Sequence, residues 1–287
     1  MTQADNGTSK GLGIHARRII AYIVLIALTA LCLFWFLILF INATRSHGEL
    51  TKGFTLIPSS YLIKNFKGML GGTQPILRGM LNSIIVAGSS AVLCTYFSTL
   101  TAYAIHAYDF KGRKFVFTFI LMIMTVPTQV SALGFVQLVD KMKLHNTYIP
   151  LVVPAIAAPV TFFYMKQYMD STLPLSLIEA ARIDGAGEVR IFNTISLPLM
   201  KPAIAVQAIF SFVGSWNNYF TPALVLHKEK IKTLPILIAE LRGADFLKFD
   251  MGIVYCTIGF SIFPVIIVYL VLAKQIVGGM TLGGVKG

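Results

Sequence analysis

Six long apolar stretches dominate the pattern of hydrophobic and polar positions along this chain of 287 residues. Each approaches or exceeds the roughly 20 residues that a helix needs to cross a hydrocarbon layer of about 30 Å. Backbone groups inside lipid must be satisfied within their own segment, so a continuous apolar run predicts a helix. The sequence therefore predicts an all-α polytopic membrane protein with six transmembrane helices, over residues 20–41, 83–106, 115–136, 148–164, 203–226 and 251–273.

The first predicted span differs from the other five in its side chains. Residues 20–41 are bulky and apolar, include Trp35, and contain neither proline nor glycine, which is typical of a lipid-facing helix. The later spans carry prolines such as Pro127, Pro222 and Pro264, which kink or break helices. Because carbonyls freed at a proline must face protein or water, we expect the later helices to surround a cavity.

Composition argues against a soluble domain and against a nucleic-acid-binding surface. Hydrophobic residues make up 56% of the chain and charged residues only 13%, which is too few to cover a water-exposed surface. The formal net charge is +12, but the lysines and arginines are spread over the short segments between apolar runs. The lipid bilayer is therefore the expected surroundings of the chain, and nucleic acid is not an expected partner.

The basic residues also bear on orientation, since cytoplasmic loops are enriched in lysine and arginine. Counted over the alternate sides of six spans, these residues divide evenly, so their total decides nothing. Arg17 and Arg18 precede the first span, and Arg113 and Lys114 lie in a very short loop. Their placement favours a cytoplasmic position for both termini.

The spans lack the side chains of proton-driven carriers. Apart from His106, expected at an interface, they contain no Asp, Glu, Lys, Arg or His, although sodium coupling through carbonyls and hydroxyls stays open. No GxxxxGK[ST] phosphate loop or hydrolase motif occurs, and no cysteine has metal-ligand spacing. We expect no catalytic residue, metal site or cofactor in this chain, and energy that arrives through a partner.

Residues 176–202, between the fourth and fifth predicted spans, have a different character. Ser176 and Glu179 have the spacing of a capping box, which predicts the start of a short helix, and Asp184 before Gly185 predicts its end. Apolar residues then recur at near-helical spacing up to two prolines: Val189, Phe192, Ile195 and Leu199, with Pro198 and Pro202. The pattern alone allows either an amphipathic loop that joins two spans or a docking element on the membrane face.

The same segment contains a distinctive string of residues: Glu179-Ala180-Ala181, then Asp184-Gly185-Ala186, then Phe192, Ile195, Pro198 and Pro202. This string resembles the EAA signature of ABC importer permease subunits, in the form found in carbohydrate uptake systems of the maltose-transporter type. The resemblance extends over most of the chain. It implies an ABC importer type I permease fold with a cytoplasmic coupling helix.

In that family the EAA loop sits in a cleft of the ATP-binding subunit. The resemblance therefore implies that Glu179 is a charged contact to that subunit, and that Ala180 and Ala181 allow the helix to approach closely. It implies that Gly185, after Asp184, sets the turn.

The two ends of the chain differ in their resemblance to the family. Residues 275–287 resemble the glycine-rich tail of the maltose-type G permease subunit, which reaches the ATP-binding subunits. Gly283, Gly284 and Lys286 are the implied contacts of this tail. Residues 1–16 show no such resemblance, and we predict a disordered cytoplasmic leader ahead of the permease domain at 17–287.

The resemblance also implies a function and its partners. The chain is expected to be one transmembrane subunit of an ATP-driven importer of a sugar, in the oligosaccharide class, in a bacterial or archaeal cytoplasmic membrane. The implied partners are a second, homologous permease chain, two ATP-binding subunits that hold ATP and magnesium, and an extracytoplasmic sugar-binding protein. The alternatives are a self-sufficient secondary transporter, a purely structural membrane subunit and an ABC permease for a non-sugar solute.

Polar and aromatic residues within the spans are candidates for a translocation pathway. These candidates are Gln129, Trp216, Asn217 and Asn218, with Gln207. In one interpretation, amides join helices through hydrogen bonds worth about 0.6–2 kcal/mol. In the other, an aromatic face stacks on a sugar ring while amides bind its hydroxyls. The sequence leaves both interpretations open.

Overall fold

The chain is helical throughout the parts that the structure describes. This computed structural model describes residues 7–72, 74–243 and 250–283, and these ranges contain no β-strand. The α-helices are α1 (Gly7–Ala43), α2 (His47–Leu50), α3 (Leu62–Gly71), α4 (Ile76–Ala107), α5 (Arg113–Ile123), α6 (Thr128–Lys141), α7 (Ile149–Val152), α8 (Pro159–Thr172), α9 (Leu175–Ile183), α10 (Glu188–Ile191), α11 (Leu197–Leu199), α12 (Lys201–Trp216), α13 (Phe220–Val225), α14 (Leu234–Arg242) and α15 (Met251–Gly283). Two 3₁₀ turns, Val153–Ile156 and Glu229–Ile231, and a π-helical turn, Phe192–Ser196, complete the order.

Four helical segments among the described residues are long and apolar enough to cross a membrane. They are Gly13–Ala43, Ile76–Ala107, Ile149–Thr172 and Met251–Ile276. A fifth is added if the bent pair Glu188–Leu199 and Lys201–Trp216 forms one span. The helical class is confirmed, whereas six continuous spans are not.

The third and fifth predicted spans, 115–136 and 203–226, are interrupted helices. In the third, α5 ends at Ile123 and α6 starts after Pro127, which has no amide hydrogen to donate back along a helix. In the fifth, α12 ends at Trp216 and α13 starts at Phe220. There the Asn218 Oδ1 accepts a hydrogen bond from the Thr221 backbone amide at 3.3 Å, which competes with a continuous helix.

The first and fourth predicted spans are longer in the structure than in the sequence analysis. α1 begins at Gly7, so residues 7–16 of the predicted leader continue the helix, because propagation adds a hydrogen bond per residue once a helix exists. Residues 1–6 lie outside the described residues. The fourth span continues in α8 to Thr172 and includes Lys166 and Asp170, two charged residues that the span predicted at 148–164 excluded.

Residues 1–71 and 245–260 form one of two compact units. Along α1 the apolar side chains are exposed, as expected of a helix that faces lipid, and Trp35 is 67% exposed. The buried Asn65 amide holds the chain that leaves α1, because it donates to the carbonyls of Ala43 and Arg45 at 2.9 Å each. Gly252 packs so closely here that an added Cβ would lie 2.6 Å from the Arg45 carbonyl oxygen.

Residues 72–244 and 261–287 form the second unit, in which α4 is the central helix. One side of α4 carries small buried residues, including Ser83, Ala87 and Ala91, which let α12 and α8 approach closely. The main apolar core of this unit continues from α4 and α8 into the segment after α8, where Ile178, Ile191 and Phe192 are buried. The core therefore anchors the segment in which the sequence analysis predicts the coupling element.

Candidate coupling site

Residues 175–199 fold into two short helical arms joined by a tight turn, which we call the elbow. α9, the first arm, starts at Leu175, so the predicted helix is confirmed. The predicted capping box is wrong, because Pro174 is the N-cap residue and Ser176 lies inside the first turn. In the described structure, α9 begins without a side-chain cap hydrogen bond.

α9 has a buried face and an exposed face. Ile178 is fully buried and Ala181 is 8% exposed, and both pack into the apolar core of this chain. Glu179 and Ala180 lie on the exposed face. Of the two alanines expected to admit a partner, only Ala180 is exposed, so the expectation for Ala181 is corrected: its small side chain fits the core of this chain.

The turn after α9 is closed by hydrogen bonds around Gly185. The Gly185 amide donates to the Arg182 carbonyl and the Ala186 amide to the Ala181 carbonyl, each at 3.0 Å, as in a Schellman motif. Gly185 has a φ of +79°, a left-handed conformation that costs a residue with a Cβ roughly 1–2 kcal/mol. The prediction that Gly185, after Asp184, ends the helix is confirmed.

An ion pair joins the two arms across this turn. The Arg182 Nε donates to Glu188 Oε1 at 2.6 Å, and the Tyr103 hydroxyl of α4 donates to Glu188 Oε2 at 2.9 Å. Arg182 also donates to the Ala107 carbonyl at 3.3 Å and lies over the Tyr108 ring, 5.2 Å from its centroid. We call this group the clamp, and it ties the elbow to the end of α4.

The electrostatics of the clamp favour both charges. The hydrogen bond from Arg182 lowers the pKa of the Glu188 carboxyl from 4.5 to about 2. The same bond raises the pKa of the Arg182 guanidinium. The clamp is therefore fully charged at neutral pH. The clamp was not predicted from the sequence, although two opposite charges on either side of a glycine turn are a signal for such a pair.

The second arm consists of α10, the π-helical turn and α11, and it bends by 80° into α12. Phe192 is 2% exposed at the start of the π turn, and its ring packs edge-on against Tyr96 at 5.6 Å between centroids. Met200, at the bend, is fully buried. The elbow is thus one packed body that continues directly into the helix of the fifth predicted span.

Two large apolar side chains are exposed on the elbow. Ile183, at the end of α9, is 86% exposed, and Val189, at the start of α10, is 78% exposed. They flank the exposed residues Asp184 and Gly187, and Glu179 lies one turn before Ile183. Apolar residues exposed together with charged ones on a rigid support are typical of a protein-binding surface.

The pathway candidates do not lie together. Asn218 lines a cavity of about 910 Å³ with Thr221, Ser131 and Phe220, between the interruptions of the third and fifth predicted spans. Trp216 is 4% exposed and stacks on Phe212 at 5.7 Å between ring centroids. Its ring is therefore part of the packing and does not face the cavity.

The remaining pathway candidates lie on α6, on α12 and just after α12. Asn217 is exposed, and Gln207 is 7% exposed on α12. Gln129 lies in α6, but its side chain is outside the described residues. Gly283 is the last described residue of the tail, at the end of α15, and Gly284 and Lys286 lie outside the described residues.

His106 is buried in the last turn of α4. It is 8% exposed, and its Nδ1 lies 2.8 Å from Asp170 Oδ1 while its Nε2 lies 2.8 Å from the Leu173 carbonyl oxygen. Asp170 also pairs with the buried Lys166 ammonium, at 2.5 Å. Among the residues described, no group of three His, Cys, Asp or Glu side chains is placed to hold a metal ion.

The fold is also found in a solved structure. It matches a chain of the bacterial ABC transporter involved in the import of the acidic polysaccharide alginate, with a TM-score of 0.76 over 95% of this chain and 99% of that one. Identity between the two is 22%, so this likeness establishes the fold, that of an ABC transporter permease.

The sequence defines the family. Residues 99–282, which include the elbow, match the binding-protein-dependent transport system inner membrane component, and this chain belongs to that family. The arabinooligosaccharides transport system permease protein AraQ of Halalkalibacterium halodurans is 37% identical, over 87% of this chain and 89% of that protein. The trehalose/maltose transport system permease protein MalG of Thermococcus litoralis is 31% identical, over 94% and 98%.

Membership of the family fixes the general role of the chain. It is a multi-pass permease subunit in the cell membrane, it is not an enzyme, and it works with an ATPase and a substrate-binding protein. The alternatives of a self-sufficient secondary transporter and a purely structural subunit are therefore excluded. The resemblance to ABC importer permeases that the EAA string indicated is confirmed.

Proposed function

We propose that this chain is a transmembrane subunit of an importer for a neutral oligosaccharide, driven by ATP through its elbow. Relatives with 30% identity or more that cover most of the chain carry names for arabinooligosaccharides and for trehalose and maltose. The observation that carries the coupling role is the rigid elbow with Ile183 and Val189 exposed beside charged residues.

The elbow has the properties of a docking element for the ATP-binding subunit. Glu179 and Asp184 supply exposed charge, Ala180 allows close approach, and Ile183 and Val189 supply apolar contact. Because the Schellman turn and the clamp fix the two arms, a push on the elbow moves it as one body. In this proposal ATP and magnesium are held by the partner subunits, and this chain holds no cofactor.

The remaining parts of the proposal concern assembly. The companion of this chain is a second, homologous but different permease subunit, and the binding protein is extracytoplasmic. Docking of the elbow on an ATPase requires the elbow to lie in the cytoplasm of a bacterium or archaeon. Both termini lie there too when the interrupted third and fifth predicted spans each cross the membrane. Gly283, Gly284 and Lys286 of the tail reach the ATP-binding subunits, and Asn218, with Gln129 and Asn217, borders the route of the solute.

The coupling role is tested by Glu179→Lys in the complete transporter, reconstituted in proteoliposomes with its binding protein. Reversing an interfacial charge places like charges together, so we expect ATP-dependent uptake to fall by about 10-fold or more. Asp140→Lys makes the same charge change at an exposed site on α6, away from the elbow, and is the matched control. Normal uptake by Glu179→Lys, with the ATP-binding subunits still bound, would contradict the coupling role.

The substrate class is tested in the same vesicles with radiolabelled arabinotriose, raffinose, trehalose and maltose. Uptake of at least one of them, dependent on ATP and insensitive to ionophores, is expected. Uptake of glycerol 3-phosphate or an amino acid, without uptake of any sugar, would show that the solute is not a neutral sugar.

A further inference from the structure

A second cavity, of about 580 Å³, lies between α8, α12 and the last third of α15. Tyr164, Gln167 and Tyr168 of α8 line one side of it, and Val206 and Gln207 of α12 line the other. We call this cavity the α8–α12 niche. Its volume is within the range of ligand pockets, about 300–1,000 Å³.

The lining of the niche is mostly apolar and carries no charge. Its polar side chains are two tyrosines and two glutamines, and none of its lining residues is acidic or basic. Tyrosine rings offer an apolar face with a hydroxyl at the edge, and a glutamine amide offers two donors and an acceptor. This set of groups matches a neutral molecule that has both apolar ring faces and hydroxyls, and it supplies no opposite charge to an ionic solute.

Gln207 is the residue that points most directly to a ligand. It is 7% exposed, lines the niche, and has no hydrogen-bond partner among the described residues. The buried Asn82 amide, in contrast, donates to the carbonyls of Lys230 and Lys232. The amide of Gln207 is therefore available to a hydrogen-bonding group that enters the niche, and one such bond is worth about 1 kcal/mol.

The niche also has a defined position relative to the elbow. Gln207 lies six residues after Lys201, the first residue of α12, which places it about 9 Å along the helix. α12 continues from the 80° bend of the elbow. A displacement of the elbow therefore reaches the wall of the niche through a single helix.

We propose that the α8–α12 niche is a sugar-contact subsite of this chain, in which the Gln207 amide bonds a solute hydroxyl near the elbow end of the pathway. This inference rests on the proposed function and deepens it, because it makes this chain one that touches the solute. The niche is separate from the cavity at Asn218, with which it shares no lining residue.

The test measures initial rates of ATP-dependent uptake by the complete transporter in proteoliposomes, with the sugar of the panel above that the wild type takes up fastest. Gln207→Leu keeps the size of the side chain and removes the amide. We expect it to raise the KM by about 10-fold, the equivalent of one lost hydrogen-bonded group, with little change in kcat. Gln207→Asn, which retains an amide, should give an intermediate KM. Gln137→Leu makes the same change at an exposed position of α6 and should leave both constants unchanged.

A direct measure of occupancy accompanies the kinetics. Val206→Cys places a thiol on the wall of the niche, and the same sugar should slow its modification by a small, water-soluble maleimide. The wild type, with its own Cys32, Cys94 and Cys256, gives the background rate. This readout does not depend on whether Gln207→Leu assembles.

The outcomes separate the two proposals. Absence of uptake of every neutral sugar by the wild-type transporter would overturn the proposed function and this inference with it. The inference alone would be overturned if the wild type takes up sugar normally, Gln207→Leu has the same constants as Gln137→Leu, and sugar does not slow the labelling of Val206→Cys. The niche would then hold only water. A raised KM or slower labelling in the presence of sugar supports the subsite.

Discussion

The elbow and the interruptions of the third and fifth predicted spans are both places where a helix stops, yet they are built in opposite ways. In the elbow, Gly185 closes a hydrogen-bonded turn and Glu188 pairs with Arg182 over a packed core. At the interruptions near Pro127 and Asn218, the chain borders a cavity of about 910 Å³ instead. This fold therefore has a hydrogen-bonded break where two arms pack on the core, and an open break where the chain lines a cavity.

The largest effect is expected from backbone strain in the hydrogen-bonded turn of the elbow. Gly185→Val puts a β-branched residue at a φ of +79°, which costs roughly 1–2 kcal/mol and shifts the balance between closed and open turn by a factor of about 5–30. We expect ATP-dependent uptake in proteoliposomes to fall by a similar factor while membrane insertion is retained.

The matched control for this strain is Gly187→Val, two residues further on. Gly187 has a φ of −71° and open space around its Cα, so a side chain is tolerated there without backbone strain. If both variants lost uptake equally, the loss would be due to contact of the loop with a partner and not to opening of the turn.

A smaller effect is expected from the clamp. Glu188→Gln removes the charge that pairs with Arg182, and because this pair is partly exposed we expect uptake to fall by only about 3- to 5-fold. Hydrogen exchange of the Ala186 amide, which closes the turn, should be faster in the variant. Unchanged exchange would show that the core alone holds the elbow.

The clamp also predicts a pH dependence with a definite sign. Arg182 lowers the pKa of Glu188 from 4.5 to about 2 in the folded chain. Its stabilising contribution is therefore fully present above pH 4.5 and is lost as the pH falls from 4.5 towards 2. Exchange of the Ala186 amide, corrected for intrinsic rate, should rise over that window in the wild type and show no such titration in Glu188→Gln.

The smallest effect is expected at the open break. Asn218→Ala removes one hydrogen bond, to the Thr221 amide at 3.3 Å, where the chain already borders a cavity. We expect the melting temperature to fall by no more than a few degrees, as for a bond worth about 1 kcal/mol. A fall in melting temperature as large as that from a core substitution would show that the Asn218 hydrogen bond is a main support of this break. The difference between the elbow and this interruption would then no longer hold.

Much of the fold could be predicted from the sequence, because lipid imposes a strong constraint on the backbone. Continuous apolar runs located α1, α4 and α15, and prolines were expected to interrupt later helices, as Pro127 does. The exact interruption at 217–219 was not predictable, because it depends on where Asn218 bonds its own backbone. Likewise, Ser176 has the spacing of a capping residue, but Pro174 takes the cap position.

The turn of the elbow could be predicted from the sequence, but the side chains that are buried on α9 could not. Gly185 after Asp184 is a local signal, and it gave the end of α9 correctly. The burial of Ala181 and the pairing of Arg182 with Glu188 depend on α4 and α8, which lie far away in the sequence. The buried group of His106, Lys166 and Asp170 was missed for the same reason, since its members meet only when α4 packs on α8.

The 80° bend between the elbow and α12 has a mechanical consequence. α12 has 16 residues, so it is a rod of about 24 Å, and a rotation of roughly 5° at Met200 swings its far end by about 2 Å. That end carries Trp216, adjacent to the cavity that Asn218 lines. In the proposed coupling, a small rotation of the elbow would therefore be passed along α12 to the neighbourhood of that cavity.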